Sequence, residues 1–237
     1  MNTVLPHDLL WGLSPSALPL DAPAWVREVV EQGHPVVVRR AMVAPGRVAV
    51  GVRGAGREQR FATVMKIADI TRIVRPEQLT LERGLPAKRA AHATYFLRLK
   101  HRVRGDAASR QASLQRPLNW PALRALQGIR PLMMSLGLPW GVTGSAGFEL
   151  ASGIPALHEG SDLDLILRTP AFISRDWAAQ LAERLESAPC RIDVQLQTPC
   201  GALMLREWAG SARQVLLKSA TGACLVDNPW QLVELSA

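Results

Sequence analysis

Three aspartates and one Gly-Ser pair carry the chemistry that this sequence can do. Asp162 and Asp164 are two residues apart in Ser161-Asp162-Leu163-Asp164-Leu165. That segment reads as a strand. Strand side chains alternate, so both carboxylates share one face and Leu163 and Leu165 the other. Two anions side by side repel unless a cation sits between them. A divalent cation with oxygen ligands resolves the conflict, and Mg²⁺ takes one or two carboxylates together with phosphates and water. The alternation repeats in Arg191-Ile192-Asp193-Val194-Gln195-Leu196, with Arg191, Asp193 and Gln195 on one face. If this strand pairs beside the first, Asp193 joins the other acids, and three carboxylates on adjacent strands can hold two ions. One would lower the pKa of an attacking hydroxyl; the other would neutralise a leaving pyrophosphate. Gly144-Ser145 is the counterpart: a glycine turn opening a helix presents backbone N–H groups to phosphate oxygens, and the serine adds a hydroxyl. Taken singly, Asp-x-Asp is commonly a solvated strand edge and Gly-Ser a plain turn. Their order and placement together favour catalysis by in-line transfer, driven by positioning and charge neutralisation.

The surrounding segments supply the elements that must position these groups. Residues 121–136 read as a helix with Pro121 in its first turn and Pro131 as an interruption. Trp140 to Ser145 is a short strand running into the glycine turn, and 146–151 a helical turn or two. Ser174 caps an amphipathic helix to Ser187, with Trp177, Leu181 and Leu185 at four-residue spacing. Strands follow at 202–206, and 215–218 with 223–226 forms a last hairpin. Upstream, 24–32 is a short helix with Asp21 as its cap, and His34 to Arg40 and Arg47 to Arg53 form a hairpin across Ala44-Pro45-Gly46. Gly51 to Arg57 reads as a basic loop. The fold class expected is α+β: a small N-terminal domain over 1–85, a connecting segment over 86–117 that includes the polar stretch Gly105 to Arg116, and a C-terminal domain over 118–237 with a mixed sheet and helices.

Composition narrows the partners. The chain has 237 residues, 48% of them apolar, which excludes a disordered chain and allows one large or two small domains. No apolar run is long enough to span a bilayer, and the N-terminal residues carry no basic n-region or cleavage site, so a cytoplasmic protein is expected. Cys190, Cys200 and Cys224 are widely spaced, which disfavours a disulfide framework or a zinc site and suggests buried free thiols. The net charge of +8 calls for an anionic partner. With one Tyr and four Phe the chain lacks an aromatic ladder for stacking bases, so extended single-stranded nucleic acid is disfavoured.

Gly144-Ser145, then Ser161-Asp162-Leu163-Asp164-Leu165, then Asp193 on a later strand, resembles the DNA polymerase beta-like nucleotidyltransferase superfamily. The spacer, residues 146–161, is long for that pattern and suggests an extra turn around Gly153-Ile154-Pro155. The segment from Trp140 to Gly153 running into 161–165 is closer still to the phosphoribosyl-dephospho-CoA transferases of malonate decarboxylase. That likeness extends to 35–41, 50–54 and 59–62, and to Asp227-Asn228-Pro229-Trp230. The resemblance implies transfer of a prosthetic group from 2′-(5″-triphosphoribosyl)-3′-dephospho-CoA to a serine of an acyl carrier protein subunit, with loss of pyrophosphate. It implies Mg²⁺ or Mn²⁺ held by Asp162 and Asp164, with Asp193 as third acid, and a triphosphate held by Gly144, Ser145 and Ser161. Arg53, Arg57, Arg60 and Lys218 are the candidate basic contacts, and the N-terminal domain would dock the carrier or close over the donor.

Other readings stay open. The residues also suit a nucleotidyltransferase using an ordinary NTP, the counterpart enzyme serving citrate lyase, or a basic non-catalytic nucleotide- or RNA-binding module. His158, just before the carboxylate strand, is an ordinary loop histidine or a phosphate contact.

Overall fold

The computed structural model describes residues 3–56, 58–80 and 120–231. The segment expected to connect the domains, including the basic 88–104 stretch and the 105–116 linker, lies outside the described residues, as does Arg57. The fold is α+β, with two sheets and five α-helices among the described residues.

The N-terminal half forms a five-stranded antiparallel sheet. In chain order its strands are β1 (Leu9–Trp11), β2 (Val36–Val38), β3 (Arg47–Arg53), β4 (Arg60–Lys66) and β5 (Arg72–Val74), and their order across the sheet is β4-β3-β2-β1-β5. The expected hairpin is present, with Val37 opposite Gly51 and Val38 opposite Val50. Helix α1 (Ala24–Glu31) buries Val26 and Val30 against Leu10, Val36, Val50, Val52 and Met65. Each such side chain contributes about 1.5–3 kcal/mol when fully withdrawn from water. Two expectations are corrected here. Pro23, not Asp21, is the N-cap of α1, and no side chain caps it. Gly51 to Arg53 belong to β3, which pairs with β4 as far as Arg53 opposite Arg60, so the basic segment is the end of a hairpin rather than a loop throughout.

The C-terminal half is a six-stranded mixed sheet. Helix α2 (Pro121–Ser135) carries Pro131 inside it without a break. It leads to β6 (Trp140–Val142), α3 (Gly144–Ser152), β7 (Leu163–Arg168), α4 (Arg175–Leu185), β8 (Ile192–Gln197), β9 (Ala202–Met204), α5 (Leu205–Ala209), β10 (Val215–Lys218) and β11 (Ala223–Val226). The order across the sheet is β11-β10-β9-β8-β7-β6. Among the described residues the one parallel pair is β7 with β8, joined through α4, because a parallel pair needs a crossover connection. The Ser174 hydroxyl accepts the Trp177 amide as the expected cap of α4. The segment at 202–206 is strand only to Met204, after which the chain turns into α5.

One face of β7 and β8 is apolar. Leu163, Leu165, Leu167, Ile192, Val194 and Leu196 pack with α2 and α4 in the larger core. Leu9, Val74 and Leu79 join the same core, so the N-terminal half shares it. The turn Pro76–Leu79 lies on the edge strand β6 so closely that a side chain at Gly141 would overlap the Pro76 backbone. Since a strand Cβ points out of the sheet plane, the turn packs on the face of β6. The cysteines are free, as expected, but none is fully buried: Cys190 and Cys200 are half-buried and Cys224 is exposed. Among the described residues no helix is long and apolar enough to cross a membrane.

Candidate active site

The opposite face of β7 and β8 is polar. Parallel register sets Asp164 beside Asp193, then Ile166 beside Gln195, then Arg168 beside Gln197. The far end of this face is covered by the N-terminal half: Arg168 Nε donates to Glu77 Oε1 at 2.7 Å, and Arg40 Nη2 to Gln197 Oε1 at 2.5 Å. The aspartates stand where that cover ends.

Asp162 falls one residue before β7 and is exposed, whereas Asp164 is within the strand and half-buried. Asp193 accepts a hydrogen bond from Arg191 Nε at 2.9 Å. The Arg191 guanidinium is held above its ordinary proton affinity by Asp193 first, and further by Asp162 and Asp164. All three carboxylates therefore act on one exposed position. Cys190 borders the cluster: burial raises its thiol pKa, the Leu163 amide lowers it and Asp162 adds to the rise.

The glycine turn faces Asp164. Thr143 N–H donates to Asp164 O at 2.8 Å, which continues the β6–β7 ladder by one residue. Gly144 then adopts φ 60° and begins α3. Gly147 in the same helix packs against β6, where a Cβ would lie 2.5 Å from Val142 O. Ser145 Oγ accepts from Arg53 Nη2 at 2.5 Å, and the Arg53 guanidinium lies 5.3 Å from the Phe148 ring centre. Burial, then Arg60, lowers the Arg53 pKa, and Asp164 opposes that fall.

A cleft of about 490 Å³ separates the two sheets here. Its N-terminal wall carries Arg39, Arg53, Arg60 and Phe61, and its other wall Thr143, Gly144, Phe148 and Asp164. Several guanidiniums facing a helix N-terminus and one carboxylate form an arrangement whose charge would suit a phosphorylated ligand.

The sequence-derived residues separate into three groups. Gly144, Asp164, Arg53 and Arg60 line the cleft together, and Ser145, Asp162 and Asp193 adjoin it through Arg53, β7 and β8. Ser161 is buried and its hydroxyl accepts the His158 amide at 3.0 Å, closing the loop before β7. Lys218 is set apart. It pairs with Ala202, which pairs with Gln197, so it lies at the far end of the strands. It is also three strand spacings, about 14 Å, from β7. Arg39 and His7 line the cleft but were not singled out from sequence; both sit in short apolar stretches that announce only strand or turn.

Among the described residues no three His, Cys, Asp or Glu side chains converge to hold an ion unaided. A hard cation here would need more than protein ligands: Asp162 and Asp164 could offer two carboxylates, and phosphates of a bound ligand would have to complete the shell.

Two family models cover most of the chain. The phosphoribosyl-dephospho-CoA transferase MdcG N-terminal domain matches residues 5–76, and the C-terminal domain of the same family matches residues 106–229. A phosphoribosyl-dephospho-CoA transferase of Pseudomonas putida (strain W619) is 49% identical over the whole of both chains. Its namesake in Pseudomonas syringae pv. tomato is 51% identical over 99% of this chain and 97% of its own. That in Azotobacter vinelandii is 46% identical over 96% and 95%. No solved structure matches. With family models over both halves and full-length relatives near half identity, this chain belongs to the phosphoribosyl-dephospho-CoA transferase family.

Proposed function

We propose that this transferase moves the 2′-(5″-phosphoribosyl)-3′-dephospho-CoA group from its triphosphate donor to a serine of the apo acyl carrier subunit of malonate decarboxylase. The serine oxygen bonds to the α-phosphorus as the bond to the pyrophosphate oxygen breaks, which makes the step a nucleotidyl-type transfer. The observation that carries the reading is the cleft itself, where Gly144 and Asp164 face Arg39, Arg53 and Arg60.

Each residue has a role in this reading. The backbone N–H groups at the start of α3 and the Arg53 and Arg60 guanidiniums bind the triphosphate. Asp162 and Asp164 hold Mg²⁺ or Mn²⁺, and Asp193, already beside Asp164 in register, is the third acid. When bound, such an ion neutralises the phosphate charge and favours the ionised serine hydroxyl. Arg53, bonded to Ser145 from the opposite sheet, supports a reading in which the N-terminal domain closes over the donor. The excess of positive charge suits both a polyanionic donor and an acidic carrier.

The test is release of pyrophosphate with Mg²⁺ and donor, with and without apo carrier. Release that requires the malonate decarboxylase carrier supports the reading. Release with ATP or another NTP and no carrier replaces the donor, and preference for the citrate lyase carrier replaces the acceptor.

A further inference from the structure

Among the described residues the one non-glycine with a positive φ is His7, at 73°. It is the third residue of the turn Leu5-Pro6-His7-Asp8. Asp8 N–H donates to Leu5 O at 3.1 Å, and Leu5 N–H to Asp8 Oδ2 at 2.9 Å. Proline fixes the preceding φ near −65°, so the two have the φ values of a type II turn, whose third position favours glycine or asparagine. Histidine is strained there, and such strain persists where the surroundings use the side chain.

The imidazole reaches across to the other sheet. Nε2 lies 2.6 Å from Gln195 Oε1 and 3.2 Å from Arg40 Nη1. A neutral ring donates to the first or accepts from the second, according to which nitrogen holds its proton. Arg40 itself donates to Gln197. Gln195 and Gln197 follow Asp193 on the same face of β8, and His7 also lines the cleft. Burial first, then Arg40, brings the His7 pKa down to about 4, so the ring adds no positive charge beside Arg40 and Arg168.

We propose that His7 is a positioning residue that fastens the N-terminal sheet to β8 and so sets the width of the cleft between the arginine wall and the Gly144 turn. The effect on substrate rests on reading this cleft as the donor site.

The test compares His7→Gly, His7→Gln and the unaltered full chain by hydrogen–deuterium exchange without substrate, thermal melting and steady-state kinetics. Glycine suits the turn but removes the link. Exchange over 36–40 and 192–197 should accelerate about fivefold, the loss of one hydrogen bond of about average strength. Donor KM should rise by a similar factor with carrier KM unchanged. Glutamine, whose amide can occupy the position of Nε2, should restore both toward the starting values. A higher Tm for His7→Gly with exchange and donor KM unchanged would mean the residue serves nothing beyond the turn, and would overturn the proposal. Faster exchange with unchanged donor KM would overturn the part concerning the cleft. Exchange needs no substrate, so it decides the link even if the unaltered chain does not turn over this donor.

Discussion

Gly144 lies directly against the carboxylate of Asp164. A Cβ at position 144 would overlap Asp164 Oδ2 and fall 2.6 Å from its Cγ, and φ at this position is 60°. The glycine is therefore required twice, by the backbone conformation and by the acid it touches. Gly144→Ala should keep the fold, at a cost of about 1–2 kcal/mol for the left-handed conformation. It should also push the carboxylate aside. Transfer is expected to fall about a hundredfold or more, as displacements of about 1 Å do at reacting centres. Tm and turnover on the same preparation separate the two effects.

Arg53 crosses from β3 to the Ser145 hydroxyl. Arg53→Ala removes a charge-assisted donor from the proposed triphosphate site, so donor KM should rise about tenfold or more with carrier KM unchanged. Ser145→Ala should have a smaller effect, because the backbone amides of α3 remain. Steady-state kinetics varying each substrate in turn reads both.

Glu149 orders the long spacer. Its Oε2 accepts the Ala156 and Leu157 amides, each at 2.8 Å, and so fixes the path from α3 back to Asp162. Glu149→Ala leaves both amides without that partner, and should cost about 1–3 kcal/mol of stability. Activity should fall further than that of a surface control, since the loop leads into the carboxylates. Denaturant unfolding and turnover check the two parts.

Stability should fall in mild acid through His7. Its pKa is about 4 in the fold against 6.5 when unperturbed. Between those values the unfolded chain binds the proton and the folded chain does not, so stability drops as pH falls through this window and levels off below it. The loss is about 3 kcal/mol at most. Asp8, raised above 3.8 by burial, acts in the opposite sense just above that pH. Melting curves from pH 7 to 4 should lose less Tm for His7→Gln than for the unaltered chain.

The site was more legible than the cover over it. Alternation at 162–165 and 191–196 placed Asp164 and Asp193 on one face, and a helix between their strands made parallel pairing natural. Strands β1 and β5, three residues each, are too short to show a period, and β4 mixes Thr63 and Lys66 into an apolar run. Arg39 and His7 have no motif, because their meaning arises from contacts between sheets that lie far apart in sequence. Lys218 is a basic candidate whose place sequence alone could not give: the sheet order sets its strand three away from β7.

The most direct measurement is the mass of the apo carrier after incubation with donor and Mg²⁺, with Asp162→Asn plus Asp164→Asn as control. A gain equal to the phosphoribosyl-dephospho-CoA group, absent with the double variant, is the expected result. An equal gain with the double variant would contradict the role given to these carboxylates, and no gain with the unaltered chain would contradict the transfer.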